Sequence, residues 1–379
     1  MTGTGHAPAS SAGLALPGEG QSYIGPQPAP LHPDAVTRAW MASFMAGNGY
    51  PGLADVALCE PLEGTATKLR LALSWKPGFA GPGRVMMKGG FSEHRERMAY
   101  LYAHEARFFR EVAPGLDVTV PTCFGTAEDP GTGQYLVVME DLDLVGARFC
   151  RVEQPFDLET AKAFLDMLAR LHAAYWDSDV FQPAGPFQSL NHWEALPSGA
   201  RGNYQRGQLE ETRFRQYLDL PRGRALPQIF HDHRRMTLAL ERVTEFGRAR
   251  PWSLVHGDFH IGNLYQTADG RPGALDWQTW SRGHWAHDVT YFLVSALDML
   301  DRRRWVDDLM GFYLQSLAAH GVARPPSRAE AMEAFRIHLV YGLFFWLVNP
   351  VAFQSEANNA SVAPRFALAA VDHGLFDDL

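Results

Sequence analysis

The residues best suited to do chemistry lie in Leu254-Val255-His256-Gly257-Asp258-Phe259-His260-Ile261-Gly262-Asn263-Leu264 and, shortly after, Ala274-Leu275-Asp276-Trp277-Gln278. An apolar strand ends at a loop that presents a carboxylate and a carboxamide, and a second apolar run delivers another carboxylate. Asn263 follows Asp258 by five positions, and Asp276 follows Asn263 by thirteen. The side-chain oxygens of an Asn and an Asp suit Mg²⁺, a hard cation that keeps several of its own waters. A neighbouring carboxylate that holds no metal, here Asp258, can accept the proton of an attacking hydroxyl. These are the parts of a phosphoryl-transfer site, where positioning and electrostatics carry the reaction.

The pattern His-Gly-Asp-x-His-x-x-Asn followed by apolar-Asp-Trp resembles the aminoglycoside phosphotransferase and choline kinase group of small-molecule kinases. Asp276-Trp277-Gln278 is closer to the ecdysteroid-kinase-like branch of that group. The resemblance implies an α+β, bilobal protein-kinase-like fold, with a small antiparallel-sheet lobe and a larger, mostly helical one. It implies Mg²⁺, ATP as donor with GTP left open, and a small-molecule alcohol as acceptor. Position by position, it implies Asp258 as catalytic base, with His256 bracing the same catalytic loop, and Asn263 and Asp276 as metal ligands. Asp288, in Gly283-His284-Trp285-Ala286-His287-Asp288-Val289, matches a residue that ties the catalytic loop to the next helix.

Further segments extend the resemblance. Leu168-Ala169-Arg170-Leu171-His172-Ala173-Ala174 is similar to the family's LA-x-LHA helix. The stretch from His104 to Pro114 is similar to its glutamate-bearing helix, with Glu105 as the acid. Lys88 ends an apolar strand seventeen residues earlier, so the resemblance implies a lysine on the nucleotide phosphates held by Glu105. Gly64 and Thr65, in Gly64-Thr65-Ala66-Thr67, match the loop over the phosphates. Leu136–Leu142 matches the hinge that meets the base through backbone groups, with Met139, Glu140 and Leu142 as its nucleotide-side residues. His260 either approaches phosphate or substrate or packs within the loop. Tyr341, Phe344, Phe345 and Trp346 form either core or a wall of the acceptor pocket.

These groups need elements to position them. Residues 1–30 are rich in Gly, Pro, Ala and Ser and read as a flexible tail. Pro33-Asp34 then opens an amphipathic helix that ends at Gly47-Asn48-Gly49. Strands are expected at Val56–Leu58, Leu69–Trp75, Arg84–Lys88 and Tyr135–Met139, with one long helix over Ser92–Val112 between the last two. Asp157 caps a strongly periodic helix that runs to about Trp176. A strand-and-loop island over Trp252–Trp277 is followed by helices. The implied division is a tail (1–30), a nucleotide-binding lobe (31–142) and a helical lobe (143–379) that holds the catalytic loop, the metal site and the acceptor pocket.

Composition narrows the partners. The 379 residues are 46% hydrophobic, enough for two lobes around a cleft. A net charge of −8 argues against nucleic acid. Three widely spaced cysteines, Cys59, Cys123 and Cys150, fit a reducing, cytoplasmic setting. The apolar run Leu339–Val348 falls short of a membrane span, and no secretory signal is expected. The sequence carries no signal for oligomeric state. Of 34 basic residues only four are lysine (Lys68, Lys76, Lys88 and Lys162), a bias consistent with GC-rich coding. Residues 151–379 hold 27 acids and 23 bases, only mildly acidic for a polycationic aminoglycoside. The expected acceptor is a hydroxylated lipid-like, steroid-like or natural-product alcohol. The alternatives are an antibiotic phosphotransferase and a non-catalytic nucleotide-binding protein. A protein acceptor is disfavoured, because Asp288 follows Asp276 by only twelve positions and leaves little room for an activation segment.

Overall fold

A computed structural model describes residues 25–62, 66–92, 95–190, 205–248 and 251–379. The leucine alternation after Thr67 produces the expected strand. Leu69, Leu71 and Leu73 are buried on one face, and Lys68, Arg70 and Ala72 turn to the other. This strand, β2 (Thr67–Trp75), belongs to a sheet with β1 (Leu53–Leu62), β3 (Arg84–Gly89), β4 (Cys123–Asp129) and β5 (Gln134–Glu140). The order is β1-β2-β3-β5-β4 and every pairing is antiparallel. Strand β4 was not anticipated. Its sequence, Cys-Phe-Gly-Thr-Ala-Glu-Asp, lacks a clean alternation, and a register shift falls between Cys123 and Gly125.

The leucine face is covered by α1 (Arg38–Gly47) through Met41, Phe44 and Met45. This helix starts later than expected: Pro33–Ala35 is a single separate 3-10 turn, and Thr37 caps α1 by accepting the Trp40 N–H at 3.2 Å. Residues 25–30, expected in the flexible tail, lie along the sheet instead. The Ala29 N–H donates to Asp129 at 3.2 Å, and Gln134 Nε2 donates to the Pro30 carbonyl at 2.7 Å. The opposite face of the sheet looks toward the helical half, and Val137 and Met139 join the core of that half. Helix α2 (Arg95–Arg107) crosses behind β5. The expected single helix to Val112 widens to a π-type turn over Phe108–Val112.

The second half is helical: α3 (Leu158–Ala174), α4 (His233–Gly247), α5 (Ala286–Ala296), α6 (Met299–Ala319), α7 (Arg328–Val348) and α8 (Glu356–Asp372) share one continuous apolar core. Asp157 caps α3 as expected, accepting the Thr160 N–H at 2.8 Å. Helix α7 opens with a capping box between Ser327 and Glu330. Among the described helices it alone is long and apolar enough to cross a membrane, but 78% of that stretch is buried within the protein, the setting of a core helix. Every residue of α5 is buried, which makes it a rigid anchor. Short strands complete the cleft: β7 (Ser253–Val255) pairs with β10 (Ser281–Gly283), and β8 (Leu264–Gln266) lies between β6 (Arg148–Phe149) and β9 (Pro272–Ala274).

Candidate active site

Strand β7 is wholly buried and delivers the loop His256-Gly257-Asp258 at its end. Gly257 sits at φ +82°, a left-handed conformation that a side chain disfavours. The turn is held by Asp288 on α5, whose fully buried carboxylate accepts the His256 N–H at 2.7 Å and the Gly257 N–H at 2.9 Å. A third donor, His172 Nε2 on α3, lies 3.3 Å from the same carboxylate. Because a carboxylate only accepts, this His172 nitrogen carries the proton, and Nδ1 accepts from the Tyr313 hydroxyl at 2.7 Å. Burial pushes the Asp288 carboxyl up, yet the His172 hydrogen bond and the surrounding histidines hold it below its ordinary value. The histidine of the LA-x-LHA segment and the downstream aspartate are thus two ends of one brace.

His256 spends both ring nitrogens on backbone. Nδ1 accepts from the Asp258 N–H at 3.2 Å and Nε2 donates to the Leu275 carbonyl at 2.8 Å. It is a positioning residue, tying the Asp258 loop to the segment that carries Asp276. Asn263 Nδ2 donates to the Asp258 carbonyl at 2.9 Å and to its Oδ2 at 3.0 Å. That fixes the carboxylate, whose side chain is 34% exposed, and leaves the side-chain Oδ1 of Asn263 for other use, while its main-chain carbonyl accepts the Leu275 N–H at 2.8 Å. His260 Nδ1 accepts from the Gly262 N–H at 3.0 Å, and Nε2 stands 3.7 Å from Asp258, beyond hydrogen-bond reach. Burial lowers the His260 pKa and favours the neutral ring.

The other half of the site comes from the sheet. Lys88 Nζ lies 2.8 Å from both Glu105 oxygens and 2.8 Å from Asp276 Oδ1. Burial pushes the Lys88 ammonium down, but the Asp276 and Glu105 carboxylates outweigh it and raise its pKa to about 12. Burial pushes Asp276 up, and Lys88 and Lys68 outweigh that and hold it below the usual carboxylate range. Glu105, wholly enclosed, is pushed up by burial despite the neighbouring Lys88. Of the other acids in the expected helical segment, Glu96 is exposed and Glu93 lies outside the described residues. Asp276 itself adopts φ +61°, uncommon for a residue other than glycine.

Aromatic contacts lock the two halves together. Trp277 stacks on Phe108 at 4.1 Å and packs against His256 at 4.4 Å, bridging the π-type turn and the catalytic loop. Trp280 Nε1 donates to the His104 carbonyl at 2.8 Å, beside Glu105. Trp277 and Trp280 therefore tie the π-type turn and the end of α2 to the segment that carries Asp276.

The remaining candidates divide. Gly64 and Thr65 lie outside the described residues. Met139 and Glu140 belong to the sheet ladder: the Glu140 N–H donates to the Thr122 carbonyl at 2.9 Å, and the Glu140 carboxylate accepts the Thr122 N–H at 2.6 Å. Leu142 lies beyond the ladder, where its carbonyl accepts the Ala147 N–H at 3.0 Å. Glu140 and Leu142 also border a cavity of about 720 Å³ whose lining includes Thr119, Asp166 and Tyr265 and none of the catalytic-loop or lysine residues. Of the aromatic group on α7, Phe344 is core, Tyr341 packs on His287 at 4.3 Å, and Trp346 meets His260 at 5.1 Å. Lys68, not among the expected site residues, pairs directly with Lys88 across β2 and β3.

No group of three or more His, Cys, Asp or Glu side chains converges as a metal cage among the described residues. Two hard oxygen donors, Asn263 and Asp276, fit a cation such as Mg²⁺ that relies on water and substrate for its other ligands.

The sheet-over-helices architecture with a lysine–glutamate pair above a braced aspartate loop is that of a protein-kinase-like phosphotransferase. The chain belongs to the phosphotransferase enzyme family, which matches residues 92–326, and it is a phosphotransferase. It is similar in fold to a Plasmodium vivax ethanolamine kinase, at 11% identity and a TM-score of 0.51, over 85% of this chain and 83% of that one. It is also similar to an amicoumacin kinase in complex with AMP-PNP and Ca²⁺, at 13% identity and a TM-score of 0.51, over 84% and 88% of the two chains. No curated protein matches it. These likenesses establish the bilobal fold and separate none of the family's branches.

Proposed function

We propose that this enzyme transfers the γ-phosphate of ATP to a hydroxyl of a small, weakly charged alcohol of lipid-like, steroid-like or natural-product type. The observation that carries the reading is the continuous chain Glu105–Lys88–Asp276, joined through Leu275 and His256 to the loop whose Asp258 carboxylate Asn263 holds in place. The acceptor oxygen bonds to the γ-phosphorus as the bond to the β,γ-bridging oxygen breaks, and Asp258 takes the hydroxyl proton. Lys88 steadies the phosphates and is itself aimed by Glu105. The segment from Met139 to Leu142, at and just beyond the end of β5, would lie beside the base. Mg²⁺, when bound, neutralises charge on the phosphate oxygens, and Asn263 and Asp276 would hold it. Rigid positioning is the chain's own contribution, supplied by His256, His172 and Asp288.

The acceptor class is supported by the mild acidity of residues 151–379 and by the aromatic surroundings of the loop, where His260 meets Tyr291 at 5.7 Å and Trp346 at 5.1 Å. The Asp-Trp-Gln segment supports the ecdysteroid-kinase-like side of the family. Three free cysteines support a cytoplasmic setting.

The test is a thermal-shift series with Mg-ATP and Mg-GTP across a panel of alcohols, paired with a turnover assay. Saturation at about 100 times Kd stabilises the fold by about 2.7 kcal/mol. The expected result is nucleotide-dependent stabilisation and phosphorylation of an uncharged alcohol. Stabilisation with no turnover on any alcohol would overturn the reading in favour of a binding protein.

A further inference from the structure

Lys68 and Lys88 are direct cross-strand partners in the antiparallel β2–β3 ladder. Partners of this kind share a face, with Cβ atoms about 4.5–5.5 Å apart, and like charges so placed are destabilising. The arrangement is conspicuous in a chain with four lysines among 34 basic residues, because two of the four stand side by side here. Their surroundings differ. Lys88 is neutralised by Glu105 and Asp276. Arg70, two residues along the same face as Lys68, contacts Glu60, Asp141 and Asp143. Lys68 is half-buried, and neither an ion pair nor a hydrogen bond links it to any described residue. Its opposite residue on β1 is Leu62, which offers no charge. The charged groups within electrostatic range are Lys88, Asp276 and Glu105, and both acids already serve Lys88. Burial, then Lys88, holds the Lys68 ammonium below its ordinary pKa against the opposing pull of Asp276 and Glu105.

We propose that Lys68 is a second phosphate-binding cation, which with Lys88 forms a two-lysine clamp on the nucleotide's outer phosphates. This rests on the nucleotide-dependent reading above. Two carboxylates, Glu105 and Asp276, more than offset the charge of Lys88, so a polyphosphate approaching this face needs a second cation, which Lys68 supplies. The like-charge cost in the free enzyme is relieved when the anion binds.

The test compares wild type with Lys68→Met, which keeps the stem and removes the charge, and with Lys68→Arg. Calorimetric titrations with ATP, ADP and AMP and the KM for ATP are the readouts. The expected result for Lys68→Met is a loss of about tenfold or more for ATP, less for ADP and little for AMP, with KM for ATP rising more than kcat falls. Lys68→Arg should recover most of the ATP affinity. The thermal midpoint of nucleotide-free Lys68→Met should equal or exceed that of wild type, since the repulsion is gone. Equal losses for all three nucleotides, or no loss, in a variant of a wild type that binds and turns over ATP would overturn the clamp and leave the function standing. A wild type that neither binds nor uses nucleotide would overturn both.

Discussion

Replacing Asp288 by Asn removes a charge and one acceptor from a site that no solvent reaches. The carboxylate serves two backbone donors, at 2.7 and 2.9 Å, with His172 Nε2 behind them. A carboxamide has one oxygen, so it can serve the His256 N–H or the Gly257 N–H while its own NH₂ confronts the other. Loss of a charge-assisted bond costs about 1.5–3 kcal/mol, and the stranded buried N–H adds about 1–3 kcal/mol. The variant should be less stable by about 3–5 kcal/mol, in line with breaking a buried charged network. Urea unfolding followed by tryptophan fluorescence measures this, provided the slope with denaturant is unchanged. The pH dependence gives a second reading. The folded-state pKa of Asp288 is depressed, so its contribution is full above the unfolded value of about 4 and is lost as pH falls through the lower folded value. The gap between wild type and Asp288→Asn should therefore be constant from about pH 5 to 8 and narrow below about pH 4. A destabilisation under about 1 kcal/mol would refute the assignment of Asp288 as the brace of the loop.

Lys88→Arg places a planar guanidinium where a side chain only 6% exposed holds a compact ammonium between two carboxylates. Turnover should fall on the order of 10²-fold through misplacement of the phosphates, and steady-state kinetics would show it. Full activity would mean that the survival of this lysine is accidental. Asp157→Ala removes only the cap of α3 and should cost about 1 kcal/mol in urea unfolding, with KM and kcat unchanged.

What could be read from the sequence follows the range of the interactions. The cap at Asp157, the leucine alternation of β2 and the Asp258–Asn263 loop are local, and their residues carry the pattern within a few positions, with Asp276 only thirteen positions further on. The Lys88–Glu105 pair was legible as well, through the family resemblance of the helix from His104 to Pro114 and the strand that ends at Lys88. Strand β4 was not, since it takes its place from pairing with β5 rather than from its own composition. Nor was the docking of residues 25–30, which depends on Asp129 and Gln134 a hundred positions away. Lys68 shows the same limit at the site: its meaning arises only once the β2–β3 register sets it opposite Lys88. The roles of His172 and Tyr313 also stayed hidden, because α3 and α6 meet Asp288 only in the folded core.

The central claim is that Asp258 acts on the acceptor hydroxyl within a nucleotide-dependent phosphotransfer site. Asp258→Asn keeps the size of the side chain and a bond to Asn263 while removing the base. Turnover and Mg-ATP affinity measured on the same preparation decide the matter. The expected result is a fall in kcat of about 10²–10⁴ with nucleotide affinity nearly unchanged. Turnover at the wild-type rate in that variant would contradict the account.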